Sequence, residues 1–370
     1  MHTKKVVHKE NIDTFKLKLQ DYKVLIDADI ETFSRHVVAD TGEQFGELSA
    51  ESMRVFCDVL SRGGKRIRGA LTMLAYEMYG GKDQGVSVQA ARIMEIFQTY
   101  LLITDDVYDR SRTRRGLPSA HIMHKERHEL ESWKDDSHHF GETIAINSGL
   151  VGCHMAMVMA TELNVPNGYI VKALATLNRN LQVTAEGQAN DVFNEVTESI
   201  DAQKIENVLV WKTAYYTFVN PLQFGAILAG ASDKDLEELR EYSIYAGRSF
   251  QITDDVLGMF GSEFESGKSP MDDTREGKRT LLTNYAFGKV DKEDAYFLSS
   301  MLGNQDLTQA DFAHVKEIIF SSGAYEYALE EAKKSSIAAS ECANENWSKN
   351  HKLQRDFLVG LAEYLLIRKS

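Results

Sequence analysis

The chain has 370 residues but only four prolines and three cysteines. Cys57, Cys153 and Cys342 are far apart and form no CxxC pair, which excludes a disulfide framework and favours a reducing compartment. Basic residues are also few beside the acidic ones, and the net charge is −13. We therefore do not expect a nucleic-acid partner, because phosphate backbones demand a basic surface.

Long apolar runs are missing as well. The N-terminus lacks the apolar segment of a secretory signal, and no stretch approaches the ~18 uninterrupted apolar residues of a membrane span. The longest candidate, 150–163, is interrupted by His154. We expect no membrane span and a cytoplasmic protein.

Helical periodicity dominates the segments between the prolines. Apolar residues recur at intervals of three and four in AARIMEIFQTYLLITDDV and in DLEELREYSIYAGRSFQITDDVL, whereas alternating patterns are scarce. Glycine- or proline-containing breakers separate helical segments at 61–66, 79–85, 114–118 and 260–270. No low-complexity linker divides the chain. The sequence predicts an all-α fold, with one large domain over residues 1–370.

The pentapeptide ITDDV occurs twice, at 103–107 and at 252–256. Asp105 and Asp109 are four residues apart and share one helical face, with Asp106 beside them. After an apolar run, such carboxylates repel one another unless a cation compensates them. Oxygen-only ligands suit Mg²⁺, which also takes phosphate oxygens. A single copy would more often be a solvated helix end, but two copies predict two halves of one site.

Cations are concentrated next to these acidic motifs. The basic residues in question are Lys65, Arg66 and Arg68 after a glycine turn, Arg110, Arg112, Arg114 and Arg115 after the first motif, Lys212 in an apolar segment, and Lys268 and Lys278 after the second motif. In an acidic protein this placement indicates polyanion binding, and arginine suits phosphate oxygens. For Arg110 and Arg112 we expect solvated surface charges.

The segments that carry these residues resemble a known family. GGKRIRG, DDVYDRSRTRRGLPSAH, WKTAYY, FQITDDVLGMFG and GKSPMDDTREGKRTLL occur in the order and spacing of the trans-isoprenyl diphosphate synthases. The chain looks most like the bacterial geranylgeranyl and polyprenyl branch, over a core of about 60–285. The resemblance implies an isoprenoid-synthase-type helical bundle around a central cavity, with the two Asp-rich motifs facing each other. It also implies a homodimer.

The same resemblance implies a head-to-tail condensation. An allylic diphosphate (dimethylallyl, geranyl or farnesyl) ionises, the double bond of isopentenyl diphosphate attacks the cation, and the released diphosphate takes a proton. Mg²⁺, as three ions bridging the diphosphate, and fixed cations would neutralise the leaving group. A closed apolar pocket would protect the carbocation from water.

The family motifs assign the residues to sets by resemblance. The direct Mg²⁺ ligands would be Asp105, Asp109 and Asp254, supported by Asp106 and Asp255. The allylic diphosphate would be held by Arg114, Lys212 and Lys268. Isopentenyl diphosphate would be held by Lys65, Arg68, Gln98 and Arg115. Thr213 and Gln251 match positions near the reacting carbons.

Two positions depart from the family pattern. Gly258 stands where many relatives have Asp, so the second motif is DDxxG, and we expect Asp272, Asp273 or Lys278 from the following loop to help. The segment AINSGL at 145–150 lacks an acidic residue that is often found there.

Residues before the first motif bear on product length. Tyr100 lies five residues before Asp105, with Phe97 and Leu101 close by in sequence. By family pattern an aromatic residue there stops elongation early, and Leu101 in place of a second aromatic favours geranylgeranyl diphosphate. Farnesyl diphosphate is the other product that this aromatic position marks in the family. If the aromatics only pack the core, as aromatics on apolar helices usually do, the product would be a longer polyprenyl diphosphate.

Three other functions compete with a synthase. A class I terpene cyclase would carry an Asn/Ser/Glu triad at its second metal site, whereas this chain has ITDDV there. A cyclase also needs no second diphosphate site, so the cluster of Lys65 and Arg68 speaks against it. A non-catalytic subunit of a heteromeric synthase tends to lose one acidic motif, whereas this chain keeps both. A zinc site of His121, His124 and His128 would fit one helical face but lacks thiolates.

Overall fold

The computed structural model describes residues 8–197, 202–261, 269–348 and 350–367, which are helical apart from one short hairpin and the connecting turns. The α-helices are α1 (Lys9–Phe45), α2 (Glu47–Ser61), α3 (Ile67–Met78), α4 (Gln84–Tyr108), α5 (Ala120–Leu130), α6 (Ser137–Thr161), α7 (Asn167–Val196), α8 (Ala202–Asn207), α9 (Asn220–Leu228), α10 (Asp233–Phe260), α11 (Asp272–Glu276), α12 (Leu281–Phe287), α13 (Lys292–Met301), α14 (Gln309–Ser321), α15 (Ala324–Trp347) and α16 (Lys352–Ile367). The hairpin consists of β1 (Thr113–Arg114) and β2 (Leu117–Pro118). The all-α prediction is confirmed.

Both ITDDV motifs lie at the C-terminal ends of long helices, as the periodicity predicts. α4 begins after Asp83, whose carboxylate accepts hydrogen bonds from the backbone N–H groups of Gly85 (2.8 Å) and Val86 (3.2 Å). It continues to Tyr108 and so contains the first motif. α10 contains the second motif in the same way.

One segment differs from the predicted α-helix. Residues Val208–Val219, which include Lys212, form a π-helix with i→i+5 hydrogen bonds. Periodicity does not separate a π-helix from an α-helix over a stretch this short, so the sequence alone did not reveal it.

The chain divides into two compact units. The first comprises the described residues of 1–16, 177–220 and 233–370, and the second comprises 17–176 and 221–232. The single domain over 1–370 remains a prediction.

In the first unit, α10 packs against α15, α16 and the π-helix. α15 meets its neighbours with small buried side chains four residues apart, among them Ala324, Ala328 and Ala332. Close packing is also visible where Tyr242 of α10 donates a hydrogen bond to the carbonyl of Leu358 in α16 (2.8 Å). This packing fixes the helix that carries the second motif.

In the second unit, α4 packs against α3 and α6, and α5 packs against α6. α9 crosses α3 closely: a Cβ on Gly225 would lie 2.1 Å from the carbonyl oxygen of Thr72. The helix that carries the first motif is thus flanked on several sides.

α6 is the one described helix that is long and apolar enough to cross a membrane, with 39% of its most apolar window buried. A core helix of a soluble protein passes the same test. This single helix does not indicate a membrane span.

Candidate active site

The first acidic motif lies at the C-terminal end of α4. Asp105 and Asp106 are in the last turn, and Asp109 is the residue at the C-cap. The negative end of the helix dipole adds to the repulsion between the carboxylates. Asp106 is buried and accepts hydrogen bonds from Nε of Arg114 at 2.9 and 3.2 Å. Arg114 Nη2 lies 3.9 Å from Asp105 Oδ2, so this guanidinium partly compensates the motif.

The β1–β2 hairpin returns Arg114 to α4. Its central residues, Arg115 and Gly116, have φ of 56° and 73°, which is typical of a type I′ turn. Arg115 is therefore held in the left-handed region, where residues other than glycine are uncommon. The sequence indicated a breaker here but not a hairpin.

The segment before α3 forms a basic cluster around a buried acid. Arg66 has φ 53° and precedes the helix, and its guanidinium binds Asp27 (2.8 Å) and Glu95 (3.1 Å). Glu95 also accepts the N–H of Gly69 (2.9 Å). Sequence reasoning missed Glu95, although an acid inside the apolar run RIMEIFQTY is a signal for a buried ion pair.

All four residues predicted to hold isopentenyl diphosphate lie in or next to this cluster. With its amide oriented to satisfy both groups, Gln98 accepts from Arg68 (2.9 Å) and donates to Glu95 (3.3 Å). Arg115 donates to the carbonyl of Gly63. Lys65 directly precedes Arg66 in the same loop.

The cluster carries excess positive charge. Burial, and after it the charges of Arg66, Arg114 and Arg68, lower the pKa of Arg115 from its ordinary value, while Glu95 opposes the shift. Several guanidinium groups this close together favour an anion between them. By contrast, Arg110 and Arg112 are exposed, as expected for solvated charges.

The second acidic motif is compensated differently. Asp255 accepts a hydrogen bond from the amide of Gln251 (2.7 Å), and the oxygen of that amide accepts from the Thr213 hydroxyl (2.6 Å). Burial, together with the charges of Asp273 and Asp254, raises the pKa of Asp255 well above its ordinary range. The hydrogen bond from Gln251 and, after it, the charge of Lys278 oppose the shift.

Gly258 leaves room for a carboxylate from α11. A Cβ at position 258 would lie 2.3 Å from Oδ2 of Asp273. Asp273 lies 3.4 Å from Lys278 Nζ, which also binds Glu276 (2.8 Å). The following helix thus brings a carboxylate to the place where the second motif lacks its third one.

Lys212 of the π-helix binds Asp191 of α7, with Nζ 2.7 Å from Oδ2. Sequence reasoning missed Asp191, which lies in the polar stretch EGQAND. The available signal was Lys212 itself, because an ammonium in an apolar helix requires a counter-charge. The predicted residue Lys268 lies outside the described residues.

Among the described ranges, no three His, Cys, Asp or Glu residues form a group that could hold a metal ion. The carboxylate oxygens of both motifs fit Mg²⁺ chemically, since this ion keeps waters and uses phosphate oxygens. The ligand set Asp105, Asp109 and Asp254 therefore stays a prediction. The zinc alternative gains no support: His128 Nε2 is 2.8 Å from the carbonyl oxygen of Lys134, and His121 Nδ1 is 3.2 Å from Ser119 Oγ.

The residues predicted to set product length differ in their surroundings. Phe97 is fully buried, at 1% exposure, whereas Tyr100 and Leu101 are partly exposed. Tyr100 lies against Gly149 of α6, where a Cβ would be 3.1 Å from its ring. Phe97 thus fits core packing, and Tyr100 is the better candidate to meet a substrate.

Comparison with known proteins places these motifs in a family. The profile of the polyprenyl synthetase family matches residues 50–319. A geranylgeranyl diphosphate synthase of Saccharolobus solfataricus is 30% identical over 326 residues, covering 88% of this chain and 92% of that protein. A geranylfarnesyl diphosphate synthase of Aeropyrum pernix is 29% identical over 279 residues, covering 74% and 81%.

A solved structure agrees over almost the whole chain. The geranylgeranyl pyrophosphate synthase of Corynebacterium glutamicum, in complex with isoprenyl diphosphate and magnesium, superposes with a TM-score of 0.83 at 26% identity. The match covers 96% of this chain and 99% of that one.

Proposed function

The chain belongs to the polyprenyl synthetase family, and from this membership we propose that it condenses isopentenyl diphosphate head-to-tail with an allylic diphosphate. The observation that carries the proposal is the position of Arg114. Its guanidinium binds the first acidic motif through Asp106 and also contributes to the basic cluster that lowers the pKa of Arg115. One arginine therefore joins the predicted metal-binding carboxylates to a site for a second anion.

Each group of residues has a part in this reaction. Lys212, Arg114 and Lys268 hold the allylic diphosphate, and Lys65, Arg68, Gln98 and Arg115 hold isopentenyl diphosphate. Thr213 and Gln251 lie near the reacting carbons, and the released diphosphate takes the proton. Asp105, Asp109 and Asp254 would hold Mg²⁺, which neutralises diphosphate charge when bound.

The second motif needs help in this scheme, because it has Gly258 in place of a third carboxylate. We assign that help to Asp273, with Lys278 beside it. The support is the contact of Asp273 with the empty side-chain position of Gly258.

Geranylgeranyl diphosphate is the proposed product. The contact of Tyr100 with Gly149 supports a floor for the growing chain. The relative from Saccharolobus solfataricus, a geranylgeranyl diphosphate synthase 30% identical to this chain, supports the length. We expect Tyr100→Ala to give longer products, because removing the ring lowers the floor. Phe97→Ala should instead destabilise the protein by about 3–5 kcal/mol with little change in length. Unchanged products from Tyr100→Ala would show that this ring only packs the core.

A homodimer in the cytoplasm completes the proposal. An apolar stripe on α6 supports the dimer: Ile146, Leu150 and Val158 are 39%, 46% and 57% exposed. Where many relatives have an acidic residue in the segment 145–150, this chain thus has the exposed Leu150, which belongs to the stripe. Light scattering of purified protein should give twice the chain mass, and Leu150→Asp should reduce it; a wild-type monomer would contradict the dimer.

A product assay tests the activity. Purified protein, Mg²⁺ and labelled isopentenyl diphosphate are incubated separately with dimethylallyl, geranyl and farnesyl diphosphate, and the hydrolysed alcohols are separated by length. We expect elongation to stop at geranylgeraniol. Incorporation that yields much longer alcohols would keep the reaction but refute the proposed length, and no Mg²⁺-dependent incorporation from any primer would refute the function.

A further inference from the structure

The π-helix that carries Lys212 and Thr213 is approached by two other helices at glycine. A Cβ on Gly187 of α7 would lie 2.3 Å from the backbone nitrogen of Lys212 and 2.8 Å from its Cα. A Cβ on Gly247 of α10 would lie 2.3 Å from Cβ and 2.4 Å from Cα of Ala214. Contacts this short do not occur between real side chains and backbone, so any larger residue would push the helices apart.

Each glycine is followed four residues later by a polar partner for the π-helix. Asp191, four after Gly187, binds Lys212 at 2.7 Å. Gln251, four after Gly247, accepts from Thr213 at 2.6 Å. Residues four apart lie on one face of a helix, so α7 and α10 each present a close backbone contact and, one turn later, a hydrogen-bonding group.

A π-helix depends on such support. Its i→i+5 geometry is rare and is mostly limited to a single turn, whereas this one spans Val208–Val219. Thr213 is 4% exposed, and the Lys212 side chain is 19% exposed. These two side chains therefore have little freedom to adjust if the backbone between α7 and α10 moves.

We propose that Gly187 and Gly247 are positioning residues that clamp residues 211–214 and thereby set the places of Lys212 and Thr213 against the allylic substrate. The proposal rests on the proposed function, because it assigns Lys212 to the allylic diphosphate. It adds two residues that touch no substrate and that no charge or motif argument would select.

The test is the KM of each substrate in two variants and a control. In Gly187→Ala and Gly247→Ala, the displaced backbone should raise the KM of the allylic diphosphate roughly tenfold or more, since a misplacement of about 1 Å can cost ~10²-fold in rate. The KM of isopentenyl diphosphate should change less than about twofold, because the basic cluster does not include these glycines. Gly168→Ala is the matched control on α7, where a Cβ would meet nothing within 4 Å.

Thermal unfolding and circular dichroism of the variants separate positioning from folding. Equal changes in both KM values, or unchanged kinetics in a folded Gly187→Ala protein, would overturn the clamp. If neither alanine variant folds, Asp191→Asn adds no bulk and releases Lys212; an allylic KM that does not rise selectively would then overturn the proposal. Absence of incorporation by the wild type would instead refute the proposed function, and the clamp with it.

Discussion

The two copies of ITDDV share five letters but not their electrostatics. At the end of α4, the second aspartate, Asp106, is bound by the charged guanidinium of Arg114. At the end of α10, the equivalent Asp255 is bound by the neutral amide of Gln251 and has a raised pKa. The surroundings of a motif, more than its letters, thus decide how its charge is compensated.

The third position of each motif differs as well. Asp109 ends α4 at its C-cap, whereas Gly258 has no side chain and lies against Asp273 of α11. The first motif is therefore complete within one helix. Next to the second motif, the carboxylate that lies at the corresponding place is that of Asp273, fifteen residues later in the sequence.

The largest expected effect is on the two aspartates assigned as direct ligands. Asp105→Ala and Asp254→Ala should each lower turnover by roughly 10³-fold or more, because a bound metal supplies several kcal/mol of charge stabilisation. Circular dichroism should stay helical, and the exposed Asp306→Ala should keep full turnover. If either ligand variant were fully active, its motif would have no part in the reaction.

A smaller effect distinguishes the third positions. Asp273→Asn should lower turnover by about 10–10²-fold, because it removes the carboxylate that stands in for position 258. The neighbouring Asp272, which accepts from the Ser269 N–H at 3.2 Å, is the matched control, and Asp272→Asn should cost less than about threefold. Steady-state assays of both variants compare them, and equal losses would mean that Asp273 has no special role.

A separate effect concerns the stability of the protein at low pH, and it involves a histidine outside the two motifs. Burial lowers the pKa of His124 from 6.5 to about 4. The unfolded chain therefore takes up a proton below about pH 6.5 that the folded chain does not. As a result, His124 does not reduce the free energy of unfolding above this pH, and this free energy decreases as the pH falls toward 4. We expect His124 to contribute about 3 kcal/mol of this loss.

Urea unfolding between pH 7 and pH 4 measures this contribution. His124→Gln removes the titrating group, so its free energy of unfolding should fall less steeply with decreasing pH than that of the wild type. The same slope in both proteins would show that His124 does not account for the loss.

Some of these features follow from the sequence, and others do not. Apolar spacing predicted α4 and α10, and the glycine turn before Lys65 predicted the start of α3. The contacts of Glu95, Asp191 and Asp273 depend on where distant helices meet, which a local pattern does not encode. The left-handed backbone of Arg115 likewise depends on a hairpin. Its two-residue strands are too short to give a recognisable alternating pattern in the sequence.

We propose that the two ITDDV motifs act on one diphosphate. A double-mutant cycle tests it directly: Mg²⁺-dependent binding of an allylic diphosphate analogue that does not ionise is measured calorimetrically in wild type, Asp105→Asn, Asp254→Asn and the double variant. If both motifs bind the same ligand, the double variant should lose little more affinity than the single variant with the lower affinity. Strictly additive losses would mean that the motifs act independently and would contradict the account.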